Sequence, residues 1–342
     1  MKRLSVALAA LLALLIFSLP AAAWNRSPAT TFGTLPASAT PPEGITVAPN
    51  GDVYVSTFGF PASGESMAPG QIIVFDSHGK LLRQMIVAGA SPHLLGLAFH
   101  PTTNDLLVLD FGTGRVLRVN PLTGAIINVF SNIGASSGLN ALTFDAAGNV
   151  YISDSFQGKI WRVPPGGGAA STWVADPSLA TTGLPPFGAN GLAFNKSGSA
   201  LFVANTGNDS VVRIPVGAGG VAGAAKVLTY SINGADGLII DENDNIWVAA
   251  NQSDEIVVID PSGKAIAKLG DFDGIDNNGA VRGLLFPASL VFSGEFVLVT
   301  NLVLDTRLFG FQTVDSQWAA QVTRYTVSKI NRHLPPIHDD ND

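Results

Sequence analysis

Four oxygen-bearing side chains recur at matching places in this sequence: Glu43 in PPEGITV, Asn140 in GLNALTF, Asn190 in GANGLAF and Asp236 in GADGLII. Each stands just ahead of a glycine or alanine and an apolar run. Two further segments of the same form carry Leu95 and Ala288 there, and the six positions follow one another by 52, 45, 50, 46 and 52 residues. Two carboxylates and two amides brought together offer hard oxygen ligands and two negative charges. That is a donor set for calcium, which takes ~6 to 8 oxygens and leaves room for water or substrate. No histidine or cysteine stands at any of the six positions, which disfavours zinc and softer metals; another oxygen-seeking divalent ion is the alternative. Taken singly, Asn190-Gly191 and Asp236-Gly237 also read as turn dipeptides. Turn chemistry gives no reason for Glu43, or for Asn140 before alanine, at the same register. Clustered carboxylates, moreover, need a charge partner when buried.

The elements that must gather these positions are strands. One unit repeats: a small residue, an apolar strand, a polar turn, a second apolar strand, then a third. It reads GITVAPNGDVYVST, GLAFHPTTNDLLVLD, ALTFDAAGNVYISD, GLAFNKSGSALFVAN, GLIIDENDNIWVAA and, more weakly, SLVFSGEFVLVTN. The turns PNGD, AAGN, KSGS and ENDN sit where hairpins need residues tolerant of positive φ. Third strands follow as IIVFD, RVLRVNP, KIWRVPP, VVRIPV, EIVVIDP and QVTRYTV. The spacing matches the ~40 to 50 residues of a four-stranded propeller blade, and no helical periodicity competes with it. The predicted fold is therefore all-β, a six-bladed propeller of four-stranded antiparallel blades. The segment Thr30 to Leu35 is predicted to supply the outer strand of the last blade and so close the ring. First strands run beside a propeller's axis, so Glu43, Leu95, Asn140, Asn190, Asp236 and Ala288 are predicted to ring its pore.

Composition bounds the setting. A basic start, Met1-Lys2-Arg3, a charge-free apolar run to Leu19 and then Pro20-Ala21-Ala22-Ala23 read as a signal peptide over residues 1–23. The run is short for the ~20 residues of a membrane span. The expected product begins near Trp24, is exported to the periplasm or outside the cell, and has no stable membrane insertion. It is one propeller over 24–332 with a polar, disordered tail over 333–342. The chain has no cysteine, which excludes disulfides and thiolate sites. Its net charge of −7, more negative still without Lys2 and Arg3, argues against a nucleic-acid partner. Longer insertions are expected at 61–70, 271–283 and 305–318, on the rim that shapes a pocket.

The segments PEGITV, NALTFDAAGNVYISD, ANGLAFNKSGSALFVAN, ADGLIIDENDNIWVAA and VVIDPSGK resemble the senescence marker protein and gluconolactonase group, with paraoxonases as wider relatives. The resemblance covers residues 43 to 303. It implies a pore calcium held by Glu43, Asn140, Asn190 and Asp236, and a metal-dependent hydrolase whose partner is a small-molecule ester or lactone. It also makes Asp236 a candidate base or nucleophile, the alternative being ligation alone. His93, in Ser91-Pro92-His93, resembles a Pro-His pair of paraoxonase-like proteins and is a second catalytic candidate, as a proton carrier. Two departures disfavour sugar lactones: Ala141 replaces an acidic neighbour, and no arginine lies just before Asn140. Leu95, Ala288, Phe60, Phe309, Phe311 and Trp318 are expected to give the pocket a more apolar lining.

Thr57, Asp110, Asp154, Asn205 and Asn301, at the ends of second strands, read as structural side chains that satisfy loop backbone. The acidic run from Asp271 to Asp276 lacks EF-hand spacing and reads as a solvated turn. A competing reading of the whole chain is a non-catalytic propeller of the NHL-repeat type, which binds a ligand or partner protein and keeps a purely structural calcium.

Overall fold

Runs of β-branched, aromatic and leucine residues five to seven long, punctuated by Gly, Asn and Asp turns, form the strands here as pattern dictates. The computed structural model of the chain describes residues 26–334. Six four-stranded antiparallel sheets follow one another around an axis. Their first strands are Pro42–Val47, Leu94–Phe99, Leu139–Phe144, Ala189–Phe194, Ala235–Ile240 and Pro287–Ser293. The second strands, such as Val53–Thr57, Leu106–Asp110 and Val150–Asp154, are buried along their whole length. They lie between the faces of two neighbouring blades, so alternation gives way to continuous apolar runs. The core accordingly sits between blades: Tyr54, Ile72 and Val74 of blade one pack on Leu106, Val108 and Leu117 of blade two. Each such side chain contributes about 1.5–3 kcal/mol by leaving water.

Blade six is composite. Thr30–Thr34 pairs with Thr326–Asn331, outside Phe296–Asn301 and Pro287–Ser293, so the predicted closing strand does close the ring. The third strand of this blade was expected from Gln321 and instead begins at Thr326. A short helix, Ser316–Ala319, and the loop after it occupy the chain up to that point. The expected insertion at 271–283 is in part a hairpin, Phe272–Ile275 with Val281–Gly283. Both the leader over 1–23 and most of the tail over 333–342 lie outside the described residues.

Two features of the first strands position the pore. In all six blades the register between first and second strands shifts across the predicted ring position, as between Pro42 and Ile45, Leu139 and Leu142, or Ala235 and Leu238. A bulge there leaves two residues outside the ladder and re-aims a side chain. The amide freed in blades one, three and six is taken by a second-strand hydroxyl: Gly44 by Ser56, Ala141 by Ser153 and Ser289 by Thr300. The second feature is closeness. A Cβ added to Gly44, Gly96, Gly191 or Gly237 would fall 2.4–2.7 Å from the carbonyl oxygen of the next blade's ring residue, respectively Leu95, Asn140, Asp236 and Ala288. At these four positions the glycine is therefore a spacing element.

Second-strand ends act as the sequence suggests. Thr57 Oγ1 accepts from the Gln71 amide, Asp154 from that of Gly138 and Asn301 from that of Leu285, while Asn205 donates to Ser178 and Ala180. Among the described residues no helix is long and apolar enough to cross a membrane.

Gly191→Ala should force blades four and five apart and destabilise the fold by about 2–4 kcal/mol. Gly166→Ala, where an added Cβ meets nothing within 4 Å, should be neutral. Melting curves of the two variants check this; equal melting temperatures would count against the spacing role.

Candidate functional site

The bulges turn five of the six ring residues, Glu43, Leu95, Asn140, Asn190 and Asp236, into one cavity at one end of the axial channel, where each is only 4–5% exposed. Counting the space that opens to solvent, it encloses about 410 Å3. A wider opening of about 1170 Å3 at the other end is lined by first-strand residues such as Thr46, Ala98, Thr143 and Ile239, with no ionisable group among them. Chemistry that needs charge belongs to the narrower end.

In blades three to five the residue just past the second strand decides how the ring side chain points. In blade three Ser155 Oγ donates to Ala189 O at 2.7 Å, so it must accept from Asn140 Nδ2, at 3.2 Å. In blade four Thr206 Oγ1 donates to Ala235 O at 2.8 Å and accepts from Asn190 Nδ2 at 2.9 Å. With the nitrogen of each amide committed, its oxygen is the free atom. In blade five Asn251 Nδ2 donates to Asp236 Oδ2 at 2.9 Å. Glu43 Oε2 and Asp236 Oδ1 are buried with no hydrogen-bond partner. Ser155, Thr206 and Asn251 were not among the sequence candidates. Their signal was present: comparison one residue beyond the second-strand ends gives polar residues in blades three to five and Phe58, Phe111 and Leu302 in the rest.

Electrostatics follow from depth. Burial pushes the Asp236 carboxyl up to about 7, against smaller opposing effects of the Asn251 hydrogen bond and the nearby Asn190 amide. Burial, and then repulsion by Asp236, hold Glu43 well above the usual carboxylate range. Two such groups with unpartnered oxygens beside two amide oxygens fit a hard divalent cation in donor type and in charge. Among the described residues no three Asp, Glu or His side chains gather as a metal cluster; amides make up the rest of this ring.

His93 stands one layer out from the cavity. Its Nε2 meets Glu65 Oε1 at 2.9 Å, its ring stacks on Phe60 at 4.5 Å and packs against Phe58, and Phe58 in turn lines the cavity. Nδ1 of His93 is buried without a partner. The expected apolar lining is corrected in its membership. Phe309 packs on Phe60, and Trp318 lies against Phe272. Neither they nor Phe311 line the cavity; Phe58, Leu95, Pro185, Phe187, Phe286, Leu302 and Leu304 do. Ala288 packs among these side chains from behind.

A carboxyl whose folded value lies above its ordinary one keeps a proton that the unfolded chain releases. For Asp236 that window runs from its ordinary 3.8 to about 7. Its contribution to stability is thus present at low pH and lost as pH rises through 7. In excess chelator, Asp236→Asn should melt higher than the unsubstituted protein at about pH 8, and the gap should shrink toward about pH 5. Melting curves at the two pH values check this, and a gap that widens on acidification would overturn it.

Comparison with known proteins adds the following. The profile of the SMP-30/gluconolactonase/LRE-like region matches residues 90–270, more than half of the chain. No curated protein is matched by the sequence. Among solved structures, a luciferin-regenerating enzyme superposes with a TM-score of 0.63 at 15% identity, over 89% of this chain and 95% of that one. A calcium-binding protein, regucalcin, from Agrobacterium tumefaciens gives 0.60 at 17% identity, over 90% and 97%. A gluconolactonase from Xanthomonas campestris gives 0.58 at 15% identity, over 83% and 89%. At these identities the structures speak for the fold alone, and the sequence profile speaks for descent. The chain belongs to the SMP-30/gluconolactonase/LRE-like family.

Proposed function

We propose that this chain is a calcium-dependent hydrolase of lactones or related esters, with the ion held by Glu43, Asn140, Asn190 and Asp236. One observation carries the reading: unpartnered oxygens of two buried carboxylates, Glu43 Oε2 and Asp236 Oδ1, open beside two amide oxygens whose nitrogens are committed elsewhere. Uncompensated charge at that depth is costly, and one divalent cation answers both carboxylates. Membership of the family supports a lactonase-like activity, and the fold shared with the calcium-binding regucalcin supports a divalent ion.

When bound, calcium supplies Lewis acidity toward a carbonyl oxygen and stabilises the charge that develops there. The protein's own groups do the rest. Ser155 and Thr206 hold the two amides so that their oxygens face inward. Asn251 fixes Asp236 by Oδ2, so that Oδ1 would face the ion while the remaining lone pair of Oδ2 can accept a proton from water. The water oxygen bonds to the carbonyl carbon, the carbon–oxygen bond of the ester breaks, and the proton passes to the departing alkoxide. A lactone thereby becomes a hydroxy acid. Glu43 balances the second charge of the ion.

The experiment is a screen of purified, calcium-loaded protein against lactones, aryl esters and phosphotriesters, with and without chelator. Chelation should lower the melting temperature by mass action and abolish turnover. Asp236→Asn should keep the fold and lose about 100-fold or more in turnover. Asn190→Asp should be milder, because it retains an oxygen and adds charge that blunts the ion's acidity. Near-normal turnover of Asp236→Asn at full metal occupancy would move the base elsewhere, with His93→Gln the next variant. An absence of hydrolysis on every ester would favour a binding propeller instead.

We propose also that the protein is exported, on the strength of the leader-like residues 1–23. Protein recovered from its source cell should begin near Trp24 outside the cytoplasm; N-terminal sequencing that finds Met1 in a membrane fraction would reverse this.

A further inference from the structure

At the ring and post-strand positions the cavity is polar on one side and apolar on the other, and the division follows the order of the blades; Pro185 and Phe187, from the link between blades three and four, add apolar surface on the polar side. Asn140, Asn190 with Thr206, and Asp236 with Asn251 come from blades three, four and five. Leu302, Leu304 and Phe286 come from blade six and the link before it, Phe58 from blade one and Leu95 from blade two. These five side chains form one continuous hydrophobic cluster. Glu43 is the one charged group on that side. Among the described residues no Lys, Arg or His lines the cavity.

The polar side offers a ligand acceptor oxygens, while its donors are committed within the protein. Thr206 Oγ1 accepts from Asn190 and donates to Ala235 O; Asn251 Nδ2 is given to Asp236, and Asn251 Oδ1 is buried without a partner. The free acceptors sit on the side that faces the ion, so a hydroxyl carried round to the side of Phe58, Leu95, Phe286, Leu302 and Leu304 would meet hydrocarbon, at a cost of about 1–3 kcal/mol for each one buried unpaired.

The apolar side is held in place against its own backbone preference. Phe286 has φ 47° and Val303 has φ 54°, values that for a bulky or β-branched residue are outliers costing about 1–3 kcal/mol each. They are tied together and to the frame: Asp254 Oδ1 accepts the Phe286 amide at 2.7 Å, the Leu302 amide donates to Phe286 O at 3.1 Å, and that of Val303 to Leu285 O at 3.3 Å. The kink at Val303 lies between Leu302 and Leu304, both of which line the cavity. Strain maintained at a cavity wall points to use of that wall.

We infer that the cavity is a two-sided site for a small ester or lactone with a hydrocarbon substituent, its carbonyl over blades three to five and its hydrocarbon against blades six, one and two, and that it rejects polyhydroxylated sugar lactones. The inference rests on the hydrolytic reading and narrows its substrate class. Phe286, Leu302 and Leu304 are the specificity-determining residues.

The test measures binding, so that it stands apart from turnover. Two non-hydrolysable lactams, δ-octanolactam and glucono-δ-lactam, are titrated calorimetrically into the calcium-loaded protein. The alkyl lactam should bind about 10-fold more tightly or better, the scale at which a hydrocarbon pocket discriminates. Phe286→Asn keeps a residue that tolerates positive φ, and should reduce that preference by about 10-fold. Leu304→Ala, in the loop between the second and third strands of blade six, should reduce it in the same direction and serves if the first variant does not fold. Equal or tighter binding of glucono-δ-lactam, binding of neither lactam, or a preference unchanged in the folded variants would overturn the inference. A clear alkyl preference in protein that hydrolyses no ester would support the two-sided cavity and overturn hydrolysis.

Discussion

The closest constraint in this protein is the approach of six first strands around one axis. Adjacent strands pass so near that four of the residues after the ring position have no room for a side chain: at Gly44, Gly96, Gly191 and Gly237 the next blade's carbonyl oxygen occupies the place of a Cβ. That crowding sets the width of the channel, and with it the distance across which ring side chains can share a ligand. The bulge at the same position in each blade turns the preceding side chain toward the axis. Spacing and aim thus come from one local irregularity repeated six times.

The polar half of the site works against the stability of the fold that holds it. Hydrocarbon buried between blades stabilises the ring, whereas two carboxylates at its centre destabilise it until a cation or protons compensate them. The compensation cannot come from the protein, because the neighbouring Asn251, Ser155 and Thr206 bring hydrogen bonds and no positive charge. An arrangement of this kind, oriented but electrostatically incomplete, is suited to a ligand that carries charge.

The apolar half shows the same economy of position. Blades six, one and two use the ring and post-strand positions for Leu95, Phe58 and Leu302, where blades three to five use Asn, Asp, Ser and Thr. One scaffold position therefore serves either to bind an ion or to shape a wall. His93, on the rim behind Phe58 and paired with Glu65, belongs to neither half directly and touches the cavity only through aromatic packing.

The sequence by itself determined the fold, because hairpin turns and apolar strands repeat at blade length and local pattern is all that a strand register requires. It determined the ring residues too, since Glu43, Asn140, Asn190 and Asp236 hold the same place in four copies of one repeat. Tertiary structure alone decided what surrounds them. Phe187 and Pro185 reach the cavity from a link between blades three and four, and Phe286 from the link before blade six; such links have no periodicity to betray their direction. The late start of the last third strand at Thr326 had the same origin, a non-repeating insertion that the pattern could not register. Phe309 and Trp318, placed by their sequence position at the cavity, pack instead on Phe60 and Phe272, because an aromatic side chain goes to whichever partner the closed ring brings within reach.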